Sequence, residues 1–142
     1  MQQVRHLLEA KGNAVYAIAP DTPVLDAIKQ MAEKRVGALL VMRGDELVGV
    51  VSERDYARKV ILQGHSSAST NVASIMASPA LSVALDTSVA ECMHLCTDSR
   101  VRHLPVIDGN KVVGVVSIGD LVKAVIDDQA QEIEHLERYI AG

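Results

Sequence analysis

Val48-Gly49-Val50-Val51-Ser52-Glu53-Arg54-Asp55 returns as Val113-Gly114-Val115-Val116-Ser117-Ile118-Gly119-Asp120, and this echo decides the fold. Around it, Asp21 to Ile61 aligns with Asp86 to Ile126 without a gap, at a constant offset of 65 residues and with 16 of 41 positions identical. Two copies of one supersecondary unit imply a pseudo-symmetric pair, with two equivalent clefts where the copies meet. Function is expected at that seam.

Working outward, each copy opens on a helix-start signal. Asp21-Thr22-Pro23 sets a capping hydroxyl before a proline at the first helical position, and Ser88 with Glu91 reads as a capping box. Val24, Ala27, Ile28 and Met31, and in the second copy Val89, Cys92, Met93 and Cys96, recur at helical spacing and predict a buried stripe. Short β-branched runs then flank Gly44-Asp45 and Gly109-Asn110, which predicts hairpins. A second helix follows each hairpin, Glu53 to Gln63 and Ile118 to Asp128. With Gly12 to Ile18 and Pro79 to Val83 as short extended leads, the unit is strand, helix, strand, strand, helix.

The predicted fold is therefore α+β and sandwich-like: two pseudo-symmetric β-α-β-β-α repeats packed face to face, with a helical extension at each end. The expected limits are a first motif over 11–64, a polar connector over 65–71, a second motif over 72–127 and a helical tail over 128–142, all within one module. Met1 to Ala10 reads as a helical lead. In the tail, Ile126, Ala130, Ile133, Leu136 and Ile140 form an apolar stripe that must cover something: this chain itself, a second copy, or a different partner.

Composition narrows the function classes. With 142 residues and 49% apolar content the chain suffices for a hydrophobic core without covalent staples. Two cysteines four apart make no disulfide framework, and a charged start without an apolar segment argues against a secretory signal, so a reducing cytoplasm is expected. No apolar run approaches the ~18 residues needed to span a bilayer. A net charge of −4 and only three aromatic residues, all tyrosines, argue against nucleic acid as a partner. Cys92 and Cys96 with His94 invite a metal reading, but their counterparts Ala27, Met31 and Lys29 place both thiols on the buried stripe.

Chemistry concentrates in the opening stretch. Each Ser-x-x-Asp follows a strand directly and starts a helix, where unpaired N–H groups and a partial positive charge suit phosphate, while a carboxylate three residues on can accept both hydroxyls of a ribose. An isolated Ser-x-x-Asp is usually just a capping box. Here both copies keep the pair although the residues between them differ, and that favours a ligand role.

The repeated unit resembles the cystathionine-β-synthase (CBS) motif, and the tandem resembles a CBS pair, or Bateman module, over nearly the whole chain. The resemblance is carried by Val36-Gly37-Ala38-Leu39-Leu40-Val41, Val101-Arg102-His103-Leu104-Pro105-Val106, Asp108-Gly109, the two Val-Gly-Val-Val-Ser-x-x-Asp segments, and Ile75-Met76. It implies a sensor that binds adenosine-containing ligands between the copies. Asp55 and Asp120 would hold ribose, and Ser52 and Ser117 phosphate or ribose. The cleft of Asp120 would be lined by Val36, Gly37, Arg102 and His103, with backbone near Tyr16. Its counterpart at Asp55 would use Gly37, Ala38, Val101, Arg102 and the stretch from Met76 to Leu81. Arg54, which has Gly119 as its counterpart, makes the two clefts unequal in phosphate recognition. Lys11 and Met76 stand where members of the family often carry a small hydroxyl residue.

The expected function is then a cytoplasmic regulatory module for an adenosine nucleotide, AMP foremost, with ATP, ADP or NAD(H) as further candidates. It would act as a homodimer or through an unidentified protein partner, without metal, nucleic acid or membrane. The alternative is a ligand-free dimeric scaffold in which both Ser-x-x-Asp segments are only caps. An enzyme acting on nucleotide is the remaining reading, and no catalytic constellation repeats with the site.

Overall fold

The protein is described from a computed structural model that covers residues 2–141; Met1 and Gly142, the outer ends of the expected lead and tail, lie outside the described residues. The chain forms two compact units. One is Val15–Leu81; the other comprises the described residues up to Ala14 together with Ser82 onward. The units are mixed α+β; residues 72–81 fold with the first unit, and the N-terminal lead folds with the second.

In the Val15–Leu81 unit, β1 (Ala17–Ile18) pairs in parallel with β2 (Ala38–Arg43), which forms an antiparallel hairpin with β3 (Glu46–Ser52). The hairpin turns at Gly44, whose φ of +62° falls where an L side chain is disfavoured. Between β1 and β2 runs α2 (Val24–Lys34), which buries Val24, Ala27 and Met31 against Leu39, Val41 and Val51. Ile28 is only partly buried. The expected hydroxyl cap does not form: Pro23 is the N-cap residue, without a side-chain cap. Instead the first helical N–H groups of Val24 and Leu25 donate to the carbonyls of Thr70 and Ser67 at 2.8 and 3.0 Å, so the connector caps the helix with backbone. After β3, α3 (Glu53–Tyr56) passes into a π-helical turn over Ala57–Ile61 that buries Val60. The chain then returns through a 3₁₀ turn, Val72–Ser74, whose Val72 joins the core with Ile75.

The other unit repeats the plan with different additions. Here α4 (Val89–Ser99) buries Val89, Cys92 and Cys96, with Ser88 Oγ accepting the N–H of Glu91 as its cap. The hairpin of β4 (His103–Asp108) and β5 (Lys111–Ser117) carries a register shift at the place equivalent to that in β2–β3. The counterpart of β1 shrinks to one residue, Val83, bridged in parallel to Val106. Helix α1 (Val4–Lys11) buries Val4, Leu7 and Leu8 in this core. It is tied in by Val4 and Arg5 N–H donating to the carbonyls of Thr87 and Leu85, each at 2.9 Å. Finally α5 (Ile118–Ala141) buries only Leu121 and Ala124 and runs on unbroken to the end of the described chain.

Two arginines set the entry to the central strands. Arg35 and Arg100, the C-cap residues of α2 and α4, both sit in the left-handed region at φ +57° and +55°. This reversal aims Val36-Gly37 and Val101-Arg102 toward the strand that precedes each Ser-x-x-Asp.

Candidate functional site

Each unit builds the same constellation at the end of its hairpin. Ser52 Oγ accepts the N–H of Asp55 at 3.2 Å, while Asp55 Oδ2 accepts the Ser52 N–H at 3.0 Å and the Ser52 hydroxyl at 2.9 Å. In the second repeat, Ser117 Oγ accepts the Asp120 N–H at 3.2 Å and Asp120 Oδ2 accepts the Ser117 N–H at 2.8 Å. Both are capping boxes with Asp in place of Glu. The start of the central strand is fastened to the same point: Gly37 C=O accepts the Glu53 N–H at 3.0 Å, and Arg102 C=O accepts the Ile118 N–H at 2.9 Å.

The expected site residues divide between the two units. In the Val15–Leu81 unit, Gly37 is bonded to the helix start that bears Ser52, Arg54 and Asp55, and Ala38 is in register with Ser52. Val36 leads into Gly37 and packs at the edge of the core. Met76 packs over Gly49. Leu81 is exposed at the end of the unit. Tyr16 contributes its carbonyl to the Leu40 N–H at 3.1 Å, and its ring lies 5.6 Å beneath the Lys34 ammonium. In the other unit, Arg102 is bonded to the helix start that bears Ser117 and Asp120, and His103 is in register with Ser117. Val101 leads into Arg102 and packs against the core. Among the described residues, no ion pair engages Arg54 or Arg102.

Two lysines hold the acids: Lys59, which no motif marks, and Lys11, which the family resemblance marks only as standing in place of a small hydroxyl residue near the base. The Lys59 ammonium lies 3.6 Å from Asp55 Oδ1, one helical turn on, and the four-residue spacing was the available signal. Lys11 has no such signal. From 109 positions away, α1 delivers its ammonium to Asp120 Oδ2 at 2.7 Å and to the Val115 carbonyl at 3.0 Å. Burial pushes the Asp120 carboxyl up, but the hydrogen bonds from Lys11 and from the Ser117 N–H, together with the Lys11 charge, outweigh it and hold the carboxyl below its usual range.

The thiols behave as core. Cys92 and Cys96 are free and buried, and burial first, then the charges of Cys96 and Glu91, push the Cys92 thiol up to about 11. That is the opposite of an activated thiolate.

The family model for the CBS domain matches residues 13–62 and 72–127, and the chain belongs to that family. It is 44% identical over 138 residues to the CBS domain-containing protein CBSX3, mitochondrial, of Arabidopsis thaliana, covering 94% of this chain and 66% of that one, so it spans about two thirds of that relative's length. The structure of a protein with CBS domains from Burkholderia ambifaria superposes with a TM-score of 0.86 at 52% identity, over 90% of this chain and 96% of its own. The CBS domain pair of protein MJ0100, solved in complex with 5′-methylthioadenosine and S-adenosyl-L-methionine, shares the fold with a TM-score of 0.79 at 18% identity, over 90% of this chain and 98% of its own. Among the described residues, no helix is long and apolar enough to cross a membrane.

Proposed function

We propose that the chain is a regulatory module that binds an adenosine nucleotide, AMP foremost, with ATP, ADP or NAD(H) as further candidates, and signals energy or cofactor state to another chain without catalysing a reaction. One observation carries the reading. In a member of the CBS family, both units build a helix start with a serine hydroxyl and a carboxylate beside a strand entry, and Arg54 and Arg102 stand there without an ion pair among the described residues. The MJ0100 pair, with the same fold, is described with two adenosine-containing ligands.

In this reading Asp55 and Asp120 accept ribose hydroxyls, and Ser52, Ser117, Arg54, Arg102 and His103 address phosphate. Val36, Gly37, Ala38, Val101, Tyr16, Met76 and Leu81 shape the base and sugar walls. Ligand favours one arrangement of the module by binding it more tightly, and a homodimer partner or another protein reads that arrangement. Buried, unpaired thiols suit the reducing cytoplasm, whereas the Arabidopsis relative is named as mitochondrial.

A thermal-shift series with AMP, ADP, ATP and NAD(H) tests binding: ligand at about 100 times its dissociation constant adds roughly 2.7 kcal/mol of stability. Absence of any shift across the series would sink the reading. A second reading, the ligand-free scaffold, is favoured by the fact that both aspartates are already engaged in their own caps. Equilibrium dialysis of the Asp55→Ala/Asp120→Ala double variant separates the two, because a scaffold loses only about 1 kcal/mol per cap and no ligand.

A further inference from the structure

Among the described residues, nothing buries the tail stripe. Ile126, Ile133, Leu136 and Ile140 of the stripe are between 52% and 83% exposed, Ala130 is exposed with them, and Val122, one turn before, is 42% exposed, so packing of the stripe against the chain's own core, one of the three possibilities open from sequence, does not occur. Val122, Ile126, Gln129, Ile133, Leu136 and Ile140 follow one another at spacings of four, three, four, three and four, the alternation of a coiled-coil seam. At about 100° per residue, this seam lies a little over a third of a turn around α5 from Leu121 and Ala124, the residues that face the core, so docking to the body leaves it open. Glu134 and Arg138 pair with each other off the seam.

We infer that this face of α5 pairs with α5 of a second copy, antiparallel, about a twofold axis at Gln131. The inference rests on the homodimer of the proposed function and adds its surface, direction and register. The seam is self-complementary about that axis: Val122 meets the partner's Ile140, Ile126 meets the partner's Leu136, and Gln129 meets the partner's Ile133. Charge selects the direction. On one flank, Lys123 faces the partner's Glu137, twice by symmetry, and Ala130 faces the partner's Ala130. On the other, Val125 faces the partner's Tyr139, with a single like-charge meeting of Glu132 and the partner's Glu132. A parallel pair would instead set Glu132 against the partner's Glu137 twice and leave Lys123 beside the partner's Ile118. The antiparallel register gains two opposite-charge meetings where the parallel one has two repulsions.

Sedimentation equilibrium of the full chain tests this, with circular dichroism and nucleotide dialysis run on the same samples. Wild type is expected as a dimer. Ile133→Glu, at an exposed position beyond the buried part of α5, is expected as a folded monomer. Lys123→Glu and Glu137→Lys should each weaken the dimer, and the double exchange should restore it, because only the antiparallel register brings the two positions together. Glu132→Lys, which would tighten a parallel pair, should leave the dimer unchanged. A monomeric wild type overturns both this pairing and the homodimer. A dimer that survives Ile133→Glu overturns the pairing alone, and failure of the double exchange to restore association overturns the antiparallel register. Dialysis reports the nucleotide reading independently of all three outcomes.

Discussion

The two units share a repeat yet complete it differently. In both, the glycine of Val-Gly-Val-Val lies under another segment. A Cβ at Gly49 would meet the Ala77 carbonyl oxygen and the Met76 sulfur at 2.8 Å each, whereas at Gly114 it would meet the Leu8 methyl carbons at 2.8 and 2.9 Å. The first repeat borrows chain that follows it; the second borrows α1 from the opposite terminus. The acids diverge in step, Asp55 held by a lysine of its own helix and Asp120 by Lys11 of the borrowed one. Duplication thus conserves the hairpin and the Ser-x-x-Asp, while the covering segment individualises each site.

The largest break should come from α1. Leu7→Ala, at a position 6% exposed in the second-repeat core, should lower unfolding stability by about 2–5 kcal/mol in urea denaturation. The same loss of one unit's cover tests whether the first repeat unfolds independently: a biphasic transition would say that it does, a single transition that it does not.

Next comes the contrast between the glycines. Gly49→Ala pushes against backbone and should cost about 3 kcal/mol, while Gly114→Ala meets the rotatable end of Leu8 and should cost about 1 kcal/mol. Equal losses would mean that the two covers are equally rigid.

A smaller effect separates the lysines. Lys11→Met should leave stability within about 1 kcal/mol of wild type at neutral pH, since the pair is partly exposed. The sign with pH follows from the depressed Asp120 carboxyl. Its stabilisation is fully present above the ordinary unfolded value of about 3.9 and is lost as pH falls through the lower folded value. The gap between wild type and Lys11→Met in thermal melts should therefore close in acid. If the proposed ribose role holds, freeing Asp120 should also tighten adenosine by up to about fivefold at that site alone. Calorimetric titration that finds both sites altered would refute the separation.

The smallest effect tests where the units agree. Arg35→Gly and Arg100→Gly relieve the same left-handed backbone and should each stabilise by about 0.5–1 kcal/mol.

Much of this is legible in the sequence. The hairpins around Gly44 and Gly109 and the helical stripes through Met31 and Cys96 rest on spacing between near neighbours, and so do the caps at Ser52 and Ser117, which the sequence offers only as the alternative to a ligand role. Thr22 misled because a hydroxyl before proline resembles a cap, and the connector carbonyls of Ser67 and Thr70 reach the helix end first. The tail stripe was visible, but whether it folds back onto the chain was not.

Local spacing, then, determined that this chain is a doubled β-α-β-β-α unit with a serine and a carboxylate at each second helix, because periodicity and capping are properties of neighbouring residues. Tertiary structure alone decided that α1 covers the second repeat, that Lys11 crosses 109 positions to grip Asp120, and that the seam of α5 stays open. Those outcomes depend on which segment fills a groove over a glycine, and such competition is settled by packing between residues that the chain itself keeps far apart.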